Sequence, residues 1–113
     1  MEKNLIKNLG FVQIIKIDFD TLLQKLNILI KVNNKNIVAI YELKSFEVKE
    51  LYFTSQNFKI LELAKLDFIN VKQNNEFYYI NLKLVNSNIN IICKKFEWKF
   101  LGETDFVVEL GTF

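Results

Sequence analysis

Apolar and polar residues take turns along most of this chain. Leu26, Ile28, Ile30 and Val32 interleave with Asn27 and Lys31, and the same habit returns in Phe77–Val85 and Ser87–Cys93. Successive side chains of an extended backbone point to opposite faces, so alternation with period two predicts strands with one dry and one wetter face. The expected fold is mainly β: a single antiparallel meander of about seven or eight strands, forming a curved sheet, a sandwich or a partly open barrel. A short N-terminal helix is expected ahead of it, because Leu5, Ile6 and Leu9 lie on one face at helical spacing within residues 1–9 and Gly10 would end it.

The pattern then divides the chain as follows. A first strand runs from Phe11 to Asp18, with Ile15, Ile17 and Phe19 on one side, and Asp18-Phe19-Asp20-Thr21 makes a polar corner. Leu23 to Val32 is the second strand and Asn33-Asn34-Lys35-Asn36 a turn, asparagine tolerating left-handed backbone better than most residues. Ile37 to Leu43 and Val48 to Ser55 follow as separate strands, joined through Lys44-Ser45-Phe46-Glu47, with Leu51 and Phe53 on one face of the later one. Residues 58–71 read either as a strand, with Leu61 and Leu63 changing parity to Leu66 and Phe68 through a bulge, or as a segment containing a helix through Leu61–Lys65. Glu76 to Val85 and Ile89 to Phe100 complete the regular strands. In the latter, Ile89, Ile91 and Cys93 are odd but Phe96, Trp98 and Phe100 even, which calls for a bulge near Lys94-Lys95. Gly102-Glu103-Thr104-Asp105 reads as a loop and Phe106–Leu110 as a terminal strand or docked tail. The connections are short, so neighbours in sequence are expected to pair in space, within one domain spanning 1–113.

Composition narrows the chemistry. The chain has 113 residues, half of them hydrophobic and a quarter charged, which suits one globular domain. It has no apolar run near the ~20 residues of a bilayer span and no signal-peptide pattern at its start, so a cytoplasmic protein without membrane attachment is expected. The single cysteine, Cys93, between Ile92 and Lys94 in a strand pattern, reads as a buried hydrophobe rather than a nucleophile. All fifteen basic residues are lysine. Without arginine there is no planar fork to grip phosphate or a guanine edge, which disfavours nucleic acid as a partner.

No histidine is present, which removes Ser-His, Cys-His and histidine-metal chemistry, and Gly10, Gly102 and Gly111 are too scattered for a phosphate loop. Carboxylates are the remaining route to catalysis. Asp18 and Asp20 share a side of an extended segment and could hold a hard cation, although turn aspartates more often bond nearby backbone amides. Neither a catalytic role, a metal nor a cofactor is expected. Glu103, Asp105 and Glu109 form an acidic group that would suit a basic protein partner. Lys94-Lys95 beside Phe96 and Trp98 has the make-up of a base-stacking platform, but reads better as core rings next to a bulge. Phe46, Phe53, Phe58, Phe68, Phe77, Tyr79, Phe96 and Trp98 exceed what a thin sheet buries, leaving rings for a cavity or an interface. Edge strands without proline leave pairing into a homodimer open.

The order Ile14-Ile15-Lys16-Ile17-Asp18-Phe19-Asp20, Leu26-Asn27-Ile28-Leu29-Ile30, Leu51-Tyr52-Phe53, Leu61-Glu62-Leu63, Phe77-Tyr78-Tyr79-Ile80-Asn81-Leu82 and Ile89-Asn90-Ile91-Ile92-Cys93 resembles the immunity protein 50 family of bacterial polymorphic toxin systems, over roughly residues 11–98. Phe11-Val12-Gln13 and Asn86-Ser87-Asn88 depart from the family pattern, which has a polar His-Asp type pair and a turn glycine there. The resemblance implies a stoichiometric inhibitor that binds one cognate toxin domain in the same cytoplasm. Composition alone supports an alternative, a small β protein that carries an apolar ligand inside a curved sheet.

Overall fold

The computed structural model describes residues 2–55, 65–85 and 87–105. Seven strands form one antiparallel sheet: β1 (Glu2–Asn4), β2 (Phe11–Asp20), β3 (Lys25–Asn34), β4 (Ile37–Ser55), β5 (Leu66–Asn74), β6 (Phe77–Leu84) and β7 (Ser87–Asp105). Their spatial order is β1-β5-β6-β7-β4-β3-β2. Two meanders, β2-β3-β4 and β5-β6-β7, are thus joined edge to edge through the long β4–β7 pair, and β1 crosses to the far side to pair with β5. The simple meander expected from short connections therefore fails at two places. β4 and β7, with 19 residues each, offer the longest ladder in the molecule, and a ladder of that length outweighs the closing of a longer loop.

One face of the sheet is dry. β3 supplies Leu26, Ile28, Ile30 and Val32 to it, the alternation read from the sequence, and all four are at most 3% exposed. Ile80, Leu82 and Leu84 of β6, Ile89, Ile91 and Cys93 of β7, and Ile69 and Val71 of β5 complete the core. The sheet curls around these side chains, so that Gln13 near one edge forms a bridge to Lys65 beside β5 at the other. Apart from that bridge the sheet is open.

The expected N-terminal helix is absent. Glu2–Asn4 lies along β5 instead, with Lys3 opposite Val71. A nine-residue helix is marginal in water, whereas the edge of β5 offers backbone partners. Asn4 Oδ1 accepts from Ile6 N and Ile69 N, both at 3.1 Å, and Leu5 N donates to Ile69 O at 2.9 Å. The apolar residues that suggested a helix still reach the core: Ile6 is buried and Leu5 and Leu9 pack against it. Gly10 follows at φ 116°, with a hypothetical Cβ only 2.7 Å from Asn33 O, so glycine alone enters β2 here without displacing backbone.

Bulges explain where parity was misread. In β2, register shifts between Ile14 and Lys16, so Val12 and Ile14 are the buried residues, Ile17 is half-buried beyond the shift and Phe19 is exposed. In β5 the shift falls between Leu66 and Phe68, which therefore do not share a face; of the ambiguous segment before it, residues 56–64 lie outside the described residues. Residues 37–55 form one strand rather than two. Pairing runs through Phe46↔Lys95 to Val48↔Cys93, and Phe46–Glu47 on β4 and Lys94–Lys95 on β7 are the consecutive residues between inward-facing neighbours. The change of parity expected near Lys94-Lys95 is therefore real, and β4 matches it, with Glu47 at φ 50°. Two residues face two there and the register holds; the shifts in this ladder fall between Ile40 and Tyr41 and between Val48 and Glu50. The supposed loop 102–105 is the end of β7, where Glu103 and Asp105 pair with Ala39 and Ile37. The expected terminal strand at 106–110 lies outside the described residues. Among the described residues no helix is long and apolar enough to cross a membrane.

Candidate interaction face

Pairing register decides which polar residues meet on the outer face. One row across four strands is Asn70, Asn81, Asn90 and Tyr52; the next is Lys72, Tyr79, Ile92 and Glu50. These are the outward positions of strands whose other residues, such as Ile80, Leu82, Ile89 and Ile91, are buried. Asn81 Nδ2 donates to Asn90 Oδ1 at 2.7 Å and to Asn88 Oδ1 at 3.3 Å, which fixes the amides at the centre of the face. Tyr52 and Tyr79 stand 51% and 40% exposed beside them. The Tyr52 hydroxyl donates to Glu50 Oε1, and that bond, then the carboxylate charge, raises the phenol above its usual pKa. The surface is built of rings with few rotatable bonds and amides of adaptable hydrogen bonding, the pairing of side chains that protein-recognition surfaces use.

Two of the three acidic residues expected to meet a partner lie among the described residues. Glu103 is exposed on β7, and Asp105 follows two residues along the same strand, opposite Ile37. Glu109 lies outside the described residues. Glu103 borders a groove of about 490 Å³ at one end of the curled sheet, lined also by Leu9, Val32, Lys35, Ala39 and Tyr41. Tyr41 also stacks on Trp98 at 4.9 Å between centroids, and Tyr78 meets Phe96 edge-on at 5.0 Å.

Other sequence candidates resolve into structure. Asp20 Oδ1 accepts from Leu22 N and Leu23 N at 3.0 and 3.1 Å, capping the β2–β3 turn, while Asp18 is exposed opposite Asn27. Among the described residues no three acidic, cysteine or histidine groups converge as a metal would need. Lys94 and Lys95 face away from Phe96 and Trp98, whose rings pack against the core, so the stacking platform suggested by sequence is divided between two faces. Cys93 is fully buried; loss of solvation pushes its thiol up, against weaker opposite pulls from Ser45 and the Lys95 backbone. Tyr52 was missed by sequence reasoning. Its neighbours on the face come from β6 and β7, and only the β4–β7 register brings them together.

The sequence matches no protein-family model and no curated protein significantly. In structure the chain is similar to an uncharacterized protein from Neisseria gonorrhoeae, with a TM-score of 0.68 and 14% identity over 87% of this chain and 96% of that one. At that identity the likeness speaks for the fold alone.

Proposed function

We propose that this chain is a non-catalytic protein-binding module that presents the outer face of β5-β6-β7-β4 to one folded partner. The observation that carries this reading is the row of asparagines, hydrogen-bonded through Asn81, flanked by the exposed rings of Tyr52 and Tyr79. Following the sequence resemblance, the partner is a toxin domain that the chain neutralises by stoichiometric binding in the cytoplasm. Such a task needs a rigid sheet and large amphipathic side chains, and asks nothing of a nucleophile or a metal.

Co-expression with the product of the neighbouring upstream gene tests it. That product is expected to arrest growth alone, to be harmless with this protein, and to co-purify with it at one to one. Tyr52→Ala and Tyr79→Ala are each expected to weaken the complex by about 10-fold or more, as central interface rings do, without loss of the fold. A product that is harmless alone, or lethal regardless, sinks the reading.

The groove beside Leu9, Val32, Ala39 and Tyr41 favours a second reading, carriage of a small apolar ligand, since its volume lies within the range of ligand pockets. Native mass spectrometry of the freshly purified protein separates the two: a co-purified small molecule favours the carrier.

A further inference from the structure

Where β4 and β7 change parity together, side chains turn outward in consecutive pairs, and the register shift after Val48 leaves Lys49 as an extra residue beside them. Lys94 and Lys95 are both exposed there, as is Lys49. Lys25 joins them because Val48 N donates to Gln24 O at 2.9 Å, tying the start of β3 to β4 there. The half-buried Phe46 ring lies between two ammonium groups, Lys25 Nζ at 5.3 Å and Lys95 Nζ at 5.5 Å from its centroid, and Lys49 Nζ stands 5.1 Å from the Phe77 ring. These four lysines have no carboxylate within ion-pair distance among the described residues.

Nearby acids are engaged elsewhere. Asp20, opposite Lys25, caps turn amides, and Glu50 holds the Tyr52 hydroxyl. Glu47 and Glu76, both exposed, and the half-buried Glu97 remain against four cations. Ring faces hold the Lys25, Lys49 and Lys95 ammonium groups in place while leaving their charge unneutralised.

We propose that this patch receives an acidic segment of a protein partner, with carboxylates over Lys25, Lys49, Lys94 and Lys95 and an apolar side chain against Phe46 and Phe77. Lysines serve carboxylates as well as phosphates, but the chain has no arginine for two-point phosphate contacts, which favours an acidic peptide over nucleic acid. The patch adjoins the Tyr52–Tyr79 face, one step along the same strands, so it names the partner's charge for the protein-binding reading on which it rests.

Amide spectra of the ¹⁵N-labelled full chain, titrated with capped oligo-glutamate and separately with oligothymidylate of equal charge, test it. Saturable shifts are expected with oligo-glutamate, centred on residues 25, 46–49, 77 and 94–95, fading with salt and lost in Lys94→Glu/Lys95→Glu. Lys49→Glu, on a different strand, should weaken the same response. Absence of saturable shifts, an unchanged response in the charge-reversed variants, or tighter binding of oligothymidylate overturns the inference. Where a toxin partner is in hand, charge reversal is expected to lower the association rate by about 10-fold at low salt. A complex that forms at an undiminished rate sinks the patch and leaves the protein-binding reading standing, whereas peptide binding without toxin protection does the reverse.

Discussion

Cys93 illustrates how far a single residue can be read. Its place between apolar neighbours in an alternating segment already marked it as a core side chain, and it is fully buried opposite Val48 and Tyr78. What sequence could not give is the cost of charging it there. Burial favours the protonated thiol, so its pKa is higher in the fold than in the unfolded chain. Below the ordinary thiol range both states keep the proton and stability is unaffected. As pH rises through that range the unfolded chain ionises first, and the fold loses stability. Urea denaturation at pH 7 and pH 10 is expected to show a larger loss for the native protein than for Cys93→Ala; parallel losses would remove the claim. Ile6 teaches the complementary lesson. Its apolar character told that it is buried, but the choice between helix and edge strand depended on β5, far away in the chain.

At the scale of elements, strands were legible and their interruptions less so. A bulge shows in sequence only when enough apolar residues lie on both sides to expose the change of parity. Cys93 and Phe96 exposed the change of parity in β7, but Ile15, itself apolar, hid the shift in β2, and the shift after Val48 lay just past the point where two strands seemed to be separated by a loop. Turns were marked by their asparagines, yet the residue bearing the left-handed conformation is not always one of them. In the β3–β4 hairpin it is Lys35, at φ 61°, although asparagines flank it; in the β5–β6 hairpin it is Asn75, at φ 58°. Left-handed backbone costs an ordinary side chain about 1 kcal/mol, less for asparagine and least for glycine. Lys35→Gly is therefore expected to raise stability by up to about 1 kcal/mol, and Asn75→Lys to lower it by a comparable amount. Opposite signs in the urea midpoints of the two variants are the test.

For the molecule as a whole, alternation told the class of fold and most of its core, because inward and outward positions depend only on local period. Sheet order did not follow, since it depends on which long edges meet once the hairpins exist. The same limit applies to the interaction face: Tyr52, Tyr79 and Asn90 are ordinary outward residues on their own strands, and only the order β6-β7-β4 makes them one surface. Of the acidic residues conspicuous in sequence, Glu103 borders a groove and Asp105 follows it along the same strand. Pairing between β4 and β7, and between β1 and β5, brings together residues far apart in the chain, and loop closure must precede the contacts that repay it. Refolding is accordingly expected in milliseconds to seconds rather than microseconds, measurable by tryptophan fluorescence of Trp98 in stopped flow.

The crossing of β1 to β5 also bears on how the chain leaves the ribosome. Asn4 binds Ile69 across 65 positions, so β1 has no strand to pair with until β5 has been synthesised. At ordinary translation speeds that interval is roughly 3–13 seconds. Throughout it the backbone of Glu2–Asn4 is an unpaired edge, open to any chaperone that binds extended chain.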